Sequence, residues 1–353
     1  MRAAARPEFE WLANVRFWPK ADIASVCFRP KPDFDRSDFG FHGREGDWDQ
    51  MPELNGVRLE SVTRQRLRAA GRMLASLLLG AVAIFGAVLA FRQGLLPLID
   101  ATFHPGAAWL SGIRRAGIVL TAVAAYWAYV HWYDKREATE LRLQPLRTML
   151  GGIGGALLVA LPIAVLFALG AYEQVLFRGF SPALWGAAGV IVIAATLEEL
   201  IYRCLLFRVL EQTWGTAPAL AMQAVVFAVM HLGNVEHGTA RDAMTMLVSV
   251  TLLGLLWAGL FVLTRNLWVV AAHHAAWNFT ILLSGVPLSG IEDWRALAPI
   301  ESRLAGPDWL TGGMFGPESS LIVIPVIALA AVVLLRLARR RGGFLPNNGD
   351  GGN

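Results

Sequence analysis

Residues 182–210 read PALWGAAGVIVIAATLEELIYRCLLFRVL, an apolar run long enough to cross a bilayer that carries Glu198, Glu199 and Arg203 in its middle. On insertion scales each acid or base near the bilayer centre costs about 2.5–3.5 kcal/mol, so three within two helical turns need a reason, and function is the default one. At i, i+4 on a helix Glu199 and Arg203 can meet and neutralise each other. Glu198, turned about 100° from its neighbour, points to a different sector and is free to face a cavity.

Composition outside this run supports the membrane reading. Of 353 residues 55% are hydrophobic and only 16% charged, and the mean hydropathy is +0.48, whereas soluble domains carry charges on roughly a quarter of their residues. The chain is expected to be an all-α, polytopic transmembrane helix bundle of about eight spans. These fall near residues 73–91, 116–133, 150–171, 182–208, 215–232, 243–263, 267–283 and 319–337. Arg64, Arg66, Arg68 and Arg72, then Lys135, Arg136, Arg142 and Arg147, then Arg336 and Arg339 to Arg341 share one side if both termini are cytoplasmic, as the positive-inside rule asks. The connection 284–319, rich in Glu292, Asp293, Glu301, Asp308 and Glu318, is then external. A pI near 9.4 therefore reflects loop topology, with membrane lipid as the partner and no nucleic acid implied.

Residues 1–72 are charged, aromatic and Pro-rich, without an apolar run or steady periodicity, and are expected to be poorly ordered, with Met51 or Met73 as an alternative start. Residues 73–341 form the transmembrane domain, and residues 342–353 a flexible polar tail. Cys27 and Cys204 offer neither a disulfide framework nor a four-cysteine metal site. Gly151 and Gly155 are either a small-xxx-small pair for the close approach of a neighbouring helix or simply a glycine-rich helix start.

Two further polar sets interrupt apolar spans: His231 in FAVMH, four residues after Phe227, and His274 with Asn278 in HHAAWN. At 1.5 Å per residue Glu198 lies roughly 18 Å above the cytoplasmic end of its span, His231 roughly 20 Å, and His274 and Asn278 roughly 10–16 Å. A carboxylate, two imidazoles and a carboxamide thus share one depth if their helices are neighbours. Such a set activates water: a Glu as general base with a His beside it, and a second His with Asn to hold a developing oxyanion. Alternatively Glu198, His231 and His274 bind Zn²⁺ and leave a coordination position open for water. There is no HExxH.

EELIYR, FAVMH and HAAWN resemble, in order, the EExxxR, FxxxH and HxxxN motifs of the CPBP intramembrane proteases, which include CAAX prenyl endopeptidases and bacterial bacteriocin-processing or immunity proteins. The resemblance covers roughly residues 180–285. It implies Glu198 as the water-activating acid with His231 as its partner, His274 and Asn278 on the oxyanion side, Glu199 and Arg203 as a supporting pair, and either a metalloprotease or a glutamate mechanism. The expectation is a multi-pass protein of the bacterial inner membrane that hydrolyses a peptide bond of a membrane-associated protein or peptide near the cytoplasmic leaflet. A proton-coupled transporter, or a catalytically silent scaffold or immunity protein, are the alternatives.

Overall fold

The computed structural model describes residues 54–235, 239–290 and 292–346. The chain divides into two units, Met1–Ala70 and Gly71–Asn353. Of the first, residues 54–70 are described and helical, so the helix starts upstream of the span expected from residue 73. Residues 1–53, which hold Cys27 and most of the segment expected to be poorly ordered, lie outside the described residues, as do His237 and residues 347–353.

Among the described residues eleven α-helices follow one another. Helix α1 (Leu54–Ala90) continues through a π-helical turn, Phe91–Leu95, into α2 (Leu96–Phe103). Then come α3 (Ala107–Trp132), α4 (Pro145–Ala168), strand β1 (Tyr172–Phe177) and α5 (Pro182–Glu199). A second π-helical segment, Leu200–Phe207, leads into α6 (Arg208–Trp214). Helix α7 (Thr216–Met230) ends in a 3₁₀ turn, His231–Val235. Helices α8 (Ala240–Thr264) and α9 (Leu267–Leu283), strand β2 (Ile300–Leu304), α10 (Asp308–Thr311) and α11 (Val323–Arg340) complete the chain.

Six helical stretches are long and apolar enough to cross a membrane: Leu67–Phe103, Ala107–Trp132, Pro145–Ala168, Thr216–Val235, Ala240–Thr264 and Gly313–Arg340. The other two expected spans are helical but are not among the six. The run from Pro182 carries the three ionisable residues quoted above, and Leu267–Leu283 is only 17 residues long. The chain is a helical, multi-pass membrane bundle whose large exposed side chains, such as Leu161, Trp185, Val225 and Leu329, are apolar.

Among the described residues sheet is confined to one antiparallel pair, β1 with β2, with an irregularity between Gln174 and Leu176. This pair was not expected in an all-α bundle. It ties the end of α4 to the connection between α9 and α11, helped by an ion pair of 2.7 Å between Arg178 and Glu301. The tail is also less free than expected, because Leu345 donates a 2.8 Å hydrogen bond to the Thr216 hydroxyl.

Local chemistry sets the boundaries that matter. Ser181 caps α5 by accepting from the Leu184 amide at 3.3 Å, and Asn266 caps α9 by accepting from Val269 at 3.1 Å; each satisfies a donor left open by the first helical turn. Thr239 and Asp242 form a reciprocal capping box at the start of α8. Helices α4 and α9 approach so closely that a Cβ on Gly155 would stand 2.1 Å from the His273 carbonyl, and one on Gly151 2.7 Å from that of Val269. The small-xxx-small pair is therefore a packing surface, and it lets α9 bring its polar face against α5.

Candidate active site

Glu198 and Glu199 are the last two residues of α5, and the π-helical turn begins immediately after them. Such turns insert an extra residue per turn and are frequent at functional sites. Here the turn carries Arg203 under Glu199, giving an ion pair of 3.2 Å between two fully buried side chains. The Arg203 guanidinium also lies 4.5 Å from the centre of the Phe227 ring and donates to the Gly254 carbonyl at 3.4 Å. The expected supporting pair is present, and it is sealed from the cavity.

Glu199 has a second partner that spacing could not supply. His274, one helix away, donates from Nδ1 to Glu199 Oε1 at 2.8 Å, since a carboxylate can only accept. The indole of Trp257 stacks on the same imidazole with ring centres 3.7 Å apart and planes 20° apart. The Nδ1 bond and the stacked ring fix the plane of His274, and its Nε2 stands 4.0 Å from Glu198 Oε2. His273, the preceding residue, is buried and accepts from Trp257 Nε1 at 3.2 Å.

His231 is oriented by a different device. At the end of α7 the backbone tightens, and the His231 amide bonds the carbonyls of Ala228 and Val229. The Phe227 carbonyl, which an unbroken α-helix would engage through that amide, instead accepts from the His231 ring at Nδ1, 2.7 Å away. A carbonyl is an acceptor only, so Nδ1 carries the proton. The other ring nitrogen, Nε2, is left 4.0 Å from Glu198 Oε2.

Glu198 is therefore flanked by two imidazole Nε2 atoms at equal distance. Its Oε2 is buried with no hydrogen-bond partner, and so is Oδ1 of Asn278. Both residues line a cavity of about 100 Å³ together with His231, His274, Asn234 and Trp257. A water needs roughly 10–15 Å³ on this measure and two or more polar partners, so the cavity has room for one beside a substrate group. The cavity is not sealed within the bundle: the side chains of Glu198 and His231 are 22% and 20% exposed, against 0% for Glu199 and Arg203.

The spacing fits a water and not zinc. Zinc bonds of about 2.0–2.1 Å at tetrahedral angles bring ligand atoms within about 3.4 Å of one another, whereas both nitrogens stand 4.0 Å from the carboxylate oxygen. A water hydrogen-bonding at about 2.8 Å spans that gap. Among the described residues no group of three His, Cys, Asp or Glu side chains is arranged to hold a metal.

Four contributors lay outside the reach of the sequence. Leu288, Ser289, Trp294 and Glu318 wall the cavity from the connection that follows α9. Glu318, read from the sequence as one more acid of that loop, is 3% exposed. It accepts from Trp277 Nε1 at 3.0 Å and from the Ser289 hydroxyl. Asn234 donates to the Ser289 carbonyl at 3.0 Å and joins the turn after α7 to this loop. No motif in the sequence marked them; the connection is packed into the molecule, with Phe315, Glu318 and Ser319 all buried.

Compared with known families, residues 180–280 match the model described as Type II CAAX prenyl endopeptidase Rce1-like. No curated protein and no solved structure matches the chain.

Proposed function

We propose that this chain, a member of the CAAX endopeptidase family through its Rce1-like domain at residues 180–280, is a membrane endopeptidase that hydrolyses peptide bonds with a water activated by Glu198. The observation that carries this is the unpartnered Oε2 of Glu198 set between two oriented imidazoles. A water held there gives one proton to Glu198 as its oxygen attacks the substrate carbonyl carbon. The proton then passes to the amide nitrogen as the C–N bond breaks, and the products are a carboxylate and an amine. His231 accepts a hydrogen bond at Nε2 from the second water O–H and holds the nucleophile in line; that proton stays on the attacking oxygen until the product acid ionises. The Asn278 amide N–H donates to the carbonyl oxygen as it becomes negative, with His274 beside it on the same side of the cavity. Glu199, bound to both His274 and Arg203, positions the ring and stays out of proton transfer.

The test is cleavage of farnesylated CAAX peptides and their unprenylated counterparts by purified protein, before and after exhaustive chelation. Release of a new amine terminus that survives with zinc well below one equivalent is expected. Activity lost on chelation and restored by zinc alone would overturn the metal-free mechanism, and no cleavage of either peptide would count against the enzyme.

A further inference from the structure

The polar groups of the cavity stand on separate helices. His231 follows the last residue of α7, whereas His274 and Asn278 lie on α9. Each imidazole is oriented by its own partner, the Phe227 carbonyl for His231 and Glu199 for His274, and neither bond sets the distance between the two sides.

That distance is spanned by residues that the proposed chemistry leaves idle. Asn234, in the turn that begins at His231, donates to the Ser289 carbonyl at 3.0 Å. The Ser289 hydroxyl donates to Glu318 Oε2, and the other oxygen of Glu318 accepts from Trp277 Nε1 at 3.0 Å. Trp277 immediately precedes Asn278 on α9. A chain of hydrogen bonds thus runs from the His231 turn to α9 through the connections on either side of α10, and Asn234, Ser289 and Glu318 all line the cavity.

The surroundings hold this bridge in place. Glu318 is 3% exposed and Trp277 0%, so a polar atom left unpaired here would keep its desolvation cost without return. The Ser249 and Ser319 hydroxyls bond at 3.1 Å and fix the residue after Glu318 against α8. Backbone segments close on one another at two glycines with positive φ. A Cβ on Gly316 would stand 1.9 Å from the Pro287 carbonyl, and one on Gly290 3.0 Å from that of Asn234.

We infer that Glu318, which lies beyond the residues matched to the family, is a positioning residue: by holding Trp277 and Ser289 together it sets the gap between His231 on one side of the cavity and His274 with Asn278 on the other. The inference rests on the endopeptidase reading, in which the attacking water and the oxyanion donor stand on those two sides. The role needs hydrogen-bond geometry and no charge. In Glu318→Gln the amide oxygen accepts from Trp277 and the amide N–H donates to the Ser289 hydroxyl, which is an acceptor as well as a donor. Glu318→Leu removes both bonds.

The experiment follows cleavage of the same peptides, with kcat and KM separated, and hydrogen exchange of the backbone amides of 231–235 and 286–290 in purified wild type, Glu318→Gln, Glu318→Leu and Ser289→Ala. Glu318→Gln is expected to keep a kcat and exchange close to wild type. Glu318→Leu is expected to lower kcat about 10²-fold with KM little changed, the scale of loss when a reacting group is displaced by about 1 Å. Exchange should quicken in both segments of that variant while the amides of α4 stay protected. Ser289→Ala removes the middle hydroxyl with little loss of volume, and it carries the same comparison if Glu318→Leu does not fold. Wild-type kcat and exchange in a folded Glu318→Leu or Ser289→Ala protein overturn the inference. So does a Glu318→Gln as slow as Glu318→Leu, because the carboxylate itself would then be the working group. If wild type cleaves neither peptide the endopeptidase reading fails on its own, and exchange decides the bridge: unchanged protection of 231–235 in Glu318→Leu removes it.

Discussion

Two adjacent glutamates have been given different work by a single turn of helix. Glu199 is wholly buried and binds Arg203 and His274 through Oε1, whereas Glu198 has neither partner and lines the cavity. Replacing Glu199 by Gln leaves Arg203 charged in a low-dielectric site, and breaking a buried pair from one side costs about 3–5 kcal/mol. The expected result is a lower melting temperature in detergent and poorer expression; Glu199→Gln with Arg203→Met removes both charges and should recover part of that loss. A Glu199→Gln protein as stable as wild type would refute the structural role. At this scale the i, i+4 spacings predicted the ion pair and put His274 and Asn278 on one face. They could not predict the bond from His274 to Glu199, because 75 residues separate the partners. Glu318 and Trp257 were hidden for another reason: an acid in a loop and a tryptophan in an apolar helix carry no signature until packing brings them to one cavity.

Elements position the site through features that periodicity does not reveal. The π-helical turn Leu200–Phe207 displaces the backbone, and the Tyr126 hydroxyl, whose single proton is shared between two acceptors, approaches its Cys204 carbonyl at 2.9 Å. Tyr126 also donates to Glu140, which is bound by Arg208 at the foot of the same turn. The backbone that follows the two glutamates is thus latched by a buried carboxylate. Burial pushes the Glu140 carboxyl up, but the hydrogen bond from Arg136, the charge of Arg208 and the bond from Tyr126 outweigh it and hold the group below its usual range. A depressed carboxyl stabilises the fold above its unfolded value of about 4.3 and loses that contribution as pH falls through the folded one. The melting temperature should therefore drop on acidification below about pH 4, and Glu140→Gln should show a lower but flatter acid limb. An identical acid limb in the variant would show that Glu140 contributes nothing there. The β1–β2 pair escaped the sequence reading because YEQVLF is a short run whose partner lies more than 120 residues away.

At the scale of the whole molecule, eight apolar segments were legible from composition, and all eight are helical. Which helices neighbour one another was not, since α4 against α9 and α5 against α9 depend on close approach at Gly155 and on the bond from His274 to Glu199. That neighbourhood turns three weak motifs into one cavity and gives the fold its proposed chemistry. The most direct measurement is peptide cleavage by purified Glu198→Gln beside wild type, with helicity and melting temperature followed in the same samples. The substitution keeps size and hydrogen bonding while removing the base. Cleavage reduced by about 10²–10⁴ or more in a protein that melts like wild type is the predicted result. Wild-type cleavage by a well-folded Glu198→Gln protein would contradict the account and move the base to another residue.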